Sequence, residues 1–575
     1  MGFIAQNFVP LMFVGLLVFL LTGFPVAFSL AATGLTFGFL GMEAGLIPPT
    51  LFQALPLRVF GIMQNDTLLA IPFFTLMGII LERSGMAEDL LETVGQVFGP
   101  VRGGLALAVV FVGALLAATT GVVAASVIAM GLISLPIMLR YGYNRTIATG
   151  VITASGTLAQ AIPPSLVLIV MADQLGRSVG DMYAGAVVPA LMTVGLYAVF
   201  VVLVAILRPR WVPALPREAR IYREANGATG HLSLLALVAV VAVAGFAWTQ
   251  VHERVVNPWM ERSGAAPTDE VVVLTMTVCS AFALVLAGLN RLLGLRLLSR
   301  LSERVTFVLI PPLVLIFLVL GTIFLGLASP TEGGAMGAFG ALVMATMRRK
   351  LSPELLRQAL ANTTRLSCFV MFILIGATVF SFTFNAVDGH FWVEHLFKDI
   401  PGGKLGFLLV VNALVFVLGM FIDFFEIAFI ILPMLAPVAD KMGIDLIWFG
   451  VMVALNLQTS FLTPPFGFAL FYLRSVAARF DYDDVVTGAR VPAVTTPQIY
   501  KGAIAFICIQ LLMVAMVITF PRLVTGSLDN GAQVDIDKIE IPVEPRGSEP
   551  APGGDDQMRG FDTAPAAPGA SAPAQ

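Results

Sequence analysis

Two stretches of the chain place small hydroxyl residues beside paired prolines inside apolar sequence. The first reads Thr153-Ala-Ser155-Gly156-Thr157-Leu-Ala-Gln160-Ala-Ile-Pro163-Pro164-Ser165. The second reads Asn456-Leu-Gln458-Thr459-Ser460-Phe-Leu-Thr463-Pro464-Pro465-Phe-Gly467. Proline has no amide proton and clashes with the preceding turn, so each pair breaks a helix and frees backbone carbonyls. Carbonyl and hydroxyl oxygens together suit hard cations such as sodium. A half-helix restarting beyond the break turns a partly positive N-terminus toward any carboxylate ligand. The competing reading is local, because Ser and Thr often bond back to their own helix.

Two further stretches read as tips of re-entrant loops. One is Ala117-Ala118-Thr119-Thr120-Gly121, the other Gly419-Met-Phe-Ile-Asp423-Phe-Phe-Glu426. A carboxylate at membrane depth is costly and usually functional. Asp423 is therefore the leading candidate for an ion ligand or tip-orienting group, with a structural hydrogen-bonding role as the alternative. Glu426 lies three residues on. Glu332, in Ser329-Pro-Thr-Glu332, either lines the same region or caps a helix. The four histidines outline no metal site, and the three cysteines lack ligand or disulfide spacing. No phosphate-binding loop and no nucleophile–base set is present, which argues against ATP hydrolysis and enzymatic chemistry.

The elements that must position these residues are membrane helices. The chain has 575 residues, 58% hydrophobic and 12% charged, with mean hydropathy +0.91. The stretch 105–139 contains no charged residue. As one helix it would be about 50 Å long, against a bilayer core of ~30 Å. Two half-length helices meeting inside the membrane solve this, and irregular backbone is tolerated there only where protein or water surrounds it. The stretch 405–439 poses the same problem. The N-terminus lacks a charged leader region, so the first apolar run, 8–41, reads as a resident span. Nucleic-acid binding is not indicated at a net charge of −3.

The halves repeat. Pro100 and Pro401, Pro136 and Pro437, Gly142 and Gly443, Pro163 and Pro464, and Pro164 and Pro465 all differ by 301. Arginine-rich loops after Leu207, at 290–304 and at 348–365 read as cytoplasmic. Arg102, Arg140 and Arg145 place both ends of the first hairpin there, whereas Asp388, Glu394, Asp399, Asp440 and Asp445, against only Lys398, Lys404 and Lys441, put the second hairpin's ends outside. The expectation is an all-α polytopic membrane protein with an inverted repeat, each half carrying a re-entrant hairpin and a broken helix. Residues 1–207 form the first repeat (hairpin 105–139, broken helix 146–171). Residues 208–305 add a cytoplasmic loop and two inserted spans, 231–250 and 271–289. Residues 306–520 form the second repeat (hairpin 405–439, broken helix 447–473), and 521–575 a Pro/Ala/Gly-rich disordered tail. Such repeats are a mark of secondary transporters.

At these residues the chain resembles the large membrane (M) subunit of TRAP transporters across roughly 8–520. The stretches are Leu69-Ala-Ile-Pro-Phe-Phe-Thr-Leu-Met-Gly78, Gly150 to Ser165, Ser329-Pro-Thr-Glu332, Gly419-Met-Phe-Ile-Asp423 and Thr463-Pro-Pro-Phe-Gly467. The inserted spans and the Thr-Thr-Gly tip look like the mannitol/chloroaromatic-type branch. The resemblance implies sodium-coupled import of a small organic acid by an elevator motion. It implies a small four-helix membrane subunit and a periplasmic substrate-binding protein as partners, in a bacterial inner membrane, with no cofactor beyond sodium. It points to Thr119, Thr120, Ser155, Gly156, Thr157, Asp423, Thr459, Ser460 and Thr463 for sodium, and to Pro163, Ser165 and Gly467 for substrate. The alternatives are a stand-alone sodium/carboxylate symporter without a binding protein and, further off, an intramembrane enzyme or a channel.

Overall fold

The computed structural model describes residues 7–222, 230–260, 264–294, 297–398, 400–484, 486–526 and 528, without the side chains of Thr120 and Asp269. The expected tail therefore lies, from 529 onward, outside the described residues. Its boundary shifts: Arg522–Thr525 is helical and Val524 is buried, because Gly185 leaves room for it (a methyl group there would lie 2.9 Å from Val524).

The expected single apolar segment 8–41 is two helices, α1 (Phe8–Leu21) and α2 (Val26–Glu43). They part where Gly23 takes a left-handed φ of +81° and Pro25 offers no amide. Three helices follow, α3 (Leu55–Met63), α4 (Ala70–Arg83) and α5 (Met86–Phe98). The first hairpin is α6 (Gly104–Thr120) and α7 (Val123–Arg140). It turns at Gly121, whose φ is +59°. Then α8 (Arg145–Thr157) and α9 (Leu166–Gln174) form the broken helix, and α10 (Val179–Leu207) closes the half. Asn144 starts α8 by accepting from the amides of Thr146 (2.9 Å) and Ile147 (3.4 Å).

The inserted helices, α11 (His231–Trp259) and α12 (Thr268–Leu293), run longer than the expected 231–250 and 271–289. The second half starts with α13 (Arg300–Phe324) and α14 (Pro330–Met347). Glu332 is a helix cap: its carboxylate accepts from the Ser329 amide (2.7 Å), and Ser329 Oγ accepts from the Glu332 amide (3.2 Å). After α15 (Pro353–Ala386) and α16 (Gly389–Lys398) comes the second hairpin. Its first arm is α17 (Gly403–Leu418); its second runs from α18 (Phe424–Glu426) through one π turn (Ile427–Ile431) into α19 (Leu432–Lys441). The second broken helix is α20 (Leu446–Ser460) and α21 (Phe468–Val476). A small antiparallel pair, β1 (Tyr482–Asp483) and β2 (Arg490–Val491), precedes α22 (Thr496–Thr519) and α23 (Arg522–Thr525). Among the described residues eight helices are long and apolar enough to cross a membrane, ten if two bent pairs are added.

Hydrogen bonds show which ends lie together. The amides of Gly103 and Asn144, at the two feet of the first hairpin, donate to the carbonyls of Val212 (2.9 Å) and Trp211 (2.8 Å) in the connector after α10. Ser299 Oγ donates to the Gly230 carbonyl (3.1 Å), and Asp89 holds both Arg304 and Arg348. These groups form one arginine-rich end. The feet of the second hairpin join elsewhere: Lys404 donates to the Gly443 carbonyl (3.2 Å), and Arg177 faces Asp440 at 3.8 Å. Between Arg177 and Trp211 runs α10, 29 residues and so about 43 Å long. The two hairpins therefore enter from opposite ends.

Candidate functional site

The first segments of the two broken helices, α8 and α20, are almost wholly buried. Every residue from Ile147 through Thr157 is buried. Their hydroxyls survive there because most bond to carbonyls one turn back. Thr157 Oγ1 donates to Ala154 (2.9 Å), Thr459 to Leu455 (3.0 Å), Ser460 to Leu457 (2.8 Å) and Thr463 to Thr459 (2.9 Å). Thr119 does the same at the first tip, to Leu116 (2.9 Å). Such a hydroxyl spends its proton on the helix and keeps lone pairs for another partner.

Each hairpin tip is pressed onto the break of its own half. A methyl group on Gly121 would sit 3.0 Å from Leu166 Cγ, the residue at which α9 restarts. A methyl on Gly419 would sit 2.3 Å from Ser460 Oγ, where α20 ends. Lower down, Gly113 of α6 lies on Ser155 (2.5 Å for the same test), and Gly156 lies on Val127 of α7 (2.3 Å). The glycines are thus close-approach positions in a tight three-helix stack.

This packing separates residues that the sequence groups together. Helices α6 and α8 start at the same end and run side by side. Ser155 is level with Gly113, six residues or about 9 Å short of Thr119. The residue level with Thr119 is Gln160. It is fully buried, and neither its amide oxygen nor its nitrogen has a partner among the described residues. Ser155 Oγ is likewise unpartnered. Such groups cost stability unless something else satisfies them. Gln160 is the residue that sequence reasoning passed over; its signal was an amide three positions before a proline pair. For Thr120 only the backbone is described, ending α6.

Ser165 stitches the first break together. Its hydroxyl reaches the carbonyls of Ala159 (2.9 Å) and Gln160 (3.0 Å) and accepts from the Val167 amide (3.2 Å). Pro163 is buried beside it. Gly467 occupies the other restart: its amide donates to Thr463 O (2.9 Å), and a methyl there would lie 2.6 Å from the Phe461 carbonyl. Both proline pairs, Pro163–Pro164 and Pro464–Pro465, are cis.

Asp423 caps the second arm of its hairpin. One carboxylate oxygen accepts from the Phe424 amide (2.7 Å), and the Asp423 amide donates to Glu426 (3.0 Å). Among the described residues neither carboxylate is in an ion pair. The second break is the more open one: Phe421 and Phe466 lie with ring centroids 4.9 Å apart, tilted by 41°, and are 58% and 46% exposed, while Thr119 and Gln160 are sealed.

The halves meet in a buried polar cluster. Gln510 of α22 donates to Thr157 Oγ1 (3.3 Å) and to the Tyr197 hydroxyl (2.6 Å). Gln458 donates to the same hydroxyl (3.4 Å). No group of three or more His, Cys, Asp or Glu able to hold a metal occurs among the described residues.

Fold and site together define a helical polytopic membrane protein whose two hairpins close on two broken helices from opposite ends. The chain belongs to the family described as the tripartite ATP-independent periplasmic transporter, DctM component, which it matches over residues 13–523. It is 27% identical over 432 residues to the C4-dicarboxylate TRAP transporter large permease DctM of Pseudomonas aeruginosa, covering 75% of this chain and 82% of that protein. It is 24% identical to the sialic acid TRAP large permease SiaM of Vibrio cholerae (88% of this chain, 95% of that one). It is 25% identical to the ectoine TRAP large permease TeaC of Halomonas elongata, with the same coverage. The YdaH transporter of Alcanivorax borkumensis overlaps 82% of this chain and 88% of its own at TM-score 0.46 and 15% identity, too distant to carry an argument. The chain is thus a large permease subunit of a TRAP transporter, one component of a multi-subunit carrier, and not an enzyme.

Proposed function

We propose that this subunit imports a small organic acid across a bacterial inner membrane with sodium as the coupling ion, by an elevator-type alternation of access. A small four-helix subunit completes the membrane part, and a periplasmic binding protein delivers the substrate. The observation that carries this reading is the docking of each hairpin tip on its own broken helix, from opposite ends. It sets hydroxyl and carbonyl oxygens beside a helix break in each half, which supports a pair of ion sites exposed in turn.

In the first half the oxygens offered to sodium lie at two levels: those of Thr119 and Thr120 at the tip, and those of Ser155, Gly156 and Thr157 nearer the hairpin's feet, with Ser155 about 9 Å from Thr119 along the axis. In the second half Asp423, Thr459, Ser460 and Thr463 supply them. Pro163, Ser165 and Gly467 shape the restarts, where helix N-termini receive a carboxylate. The named substrates of relatives, C4-dicarboxylate and sialic acid, favour an acid. The exposed second break lies by Tyr500, whose hydroxyl donates to the Pro465 carbonyl (3.0 Å). Tyr500 is in the first turns of α22, beside the foot of α8 at the arginine-rich end. By the positive-inside rule this conformer is open to the cytoplasm.

The test is uptake into proteoliposomes holding this chain and the small subunit. A binding protein loaded with a candidate acid is supplied outside, with or without an inward sodium gradient. Uptake requiring both supports the reading. Sodium-driven uptake of free substrate would favour the stand-alone symporter. Uptake following a proton gradient alone would overturn the ion assignment.

A further inference from the structure

A cavity of about 960 Å³ opens between α12, α13 and α14 at the arginine-rich end. Arg291, Arg304, Arg348 and Lys350 line its mouth, with Asp89 as the one carboxylate among its described lining residues. Arg304 and Arg348 share that carboxylate at 3.2 Å each. Arg304 Nε is buried without a partner among the described residues. Arg291 lies 5.5 Å over the Phe307 ring. Neither Arg291 nor Lys350 forms an ion pair among the described residues. Four cations against one carboxylate leave an excess of positive charge in a part-buried site, which an anion would relieve.

Beyond the mouth the walls turn apolar. Pro311, Leu315 and Leu318 of α13 face Phe339 and Val343 of α14. From Arg304 to Leu318 the helix rises about 21 Å, more than the ~15 Å half-thickness of the bilayer's hydrocarbon core. The groove opens sideways, with Phe339 69% and Leu318 45% exposed. A free phosphate would leave the apolar wall unused.

We propose that this groove holds an anionic phospholipid of the cytoplasmic leaflet. Its phosphate sits among Arg291, Arg304 and Lys350, and one acyl chain lies along α13 and α14. Because Arg291 belongs to the inserted α12, the lipid ties the insert to the second half of the protein.

The experiment uses the purified, delipidated full chain in detergent, titrated with phosphatidylglycerol or phosphatidylethanolamine and read by native mass spectrometry. Phosphatidylglycerol is expected to bind at least ~10-fold more tightly. Replacing both Arg291 and Lys350 by Ala, exposed residues without ion pairs among the described residues, should weaken it on the order of 30-fold. Leu318→Trp, which narrows the apolar wall, should weaken phosphatidylglycerol as well. Equal binding of the two lipids, or a double variant that binds normally, overturns the proposal. So does complete displacement by glycerol phosphate, which would make this a phosphate site. A photo-crosslinker at position 318 should capture lipid in native membranes; capture of another protein chain instead would make the groove a docking surface and overturn the lipid assignment.

Discussion

Thr157 and Gln458 occupy equivalent positions 301 apart in the two halves, and the Gln510 amide and Tyr197 hydroxyl join them into one buried cluster. Tyr197→Phe keeps the ring's edge-on packing against Phe506 but takes from the Gln458 amide its bond to the hydroxyl and leaves the Gln510 amide bonded to Thr157 alone. The cost should be about 1 kcal/mol, typical of hydrogen bonds between membrane helices. Thermal unfolding in detergent measures it. The double variant with Gln510→Leu should lose less than the sum of the singles, since they share one bond.

Gln160 gives a sharper separation of stability from function. Its amide has no partner to lose, so Gln160→Leu should hold or raise the melting temperature. If the amide faces ion or substrate, sodium-driven uptake should fall at least tenfold. Normal uptake in a stable variant would reduce Gln160 to a packing residue.

Asp423 can be divided into its two roles by two substitutions. Asn still caps a helix, whereas Ala forfeits about 1 kcal/mol. Asp423→Asn should therefore unfold like the parent yet need at least tenfold more sodium for half-maximal uptake. An unchanged sodium dependence would leave the residue as a cap only.

Adding one methyl group tests the tip contact. Gly419→Ala drives Cβ to 2.3 Å from Ser460 Oγ and 3.0 Å from its Cβ, so Ser460 or the tip must shift, and transport should fall. Gly195→Ala, in α10 with nothing within 4 Å, should instead gain up to about 1 kcal/mol from helix propensity. Equal behaviour of the two in uptake would contradict the tip geometry.

Outside the membrane, Asp484 clamps α7 to the β1–β2 turn. Hydrogen bonds from Arg140, foremost, and from Thr487 hold its carboxyl down at about 2. A depressed folded-state value means the clamp is fully present above the unfolded value of about 4. It is lost as pH falls toward 2. Asp484→Asn should lower the melting temperature at pH 6, and the gap to the parent should close on acidification below 4.

The architecture was legible because its punctuation is chemical. Proline pairs break helices wherever they fall, and five proline or glycine positions at one offset exposed the duplication before any helix was seen. The division of 8–41 at Gly23 and Pro25 was written in the sequence but masked by continuous hydrophobicity. The site was less legible. Residue type marks Thr and Ser as donors of oxygen, yet only packing reveals that Ser155 lies level with Gly113 and that Gln160 lies at the tip. Glu332 offered two readings, and the capping box it forms with Ser329 decided between them.

The connector after α10 has a consequence for how the first hairpin can move. It bonds to both feet of that hairpin, at Gly103 and Asn144, and to Gly99 just before them. Three backbone hydrogen bonds thus fasten the base of the hairpin to the connector. Any displacement of the hairpin that keeps them carries the connector along as ballast.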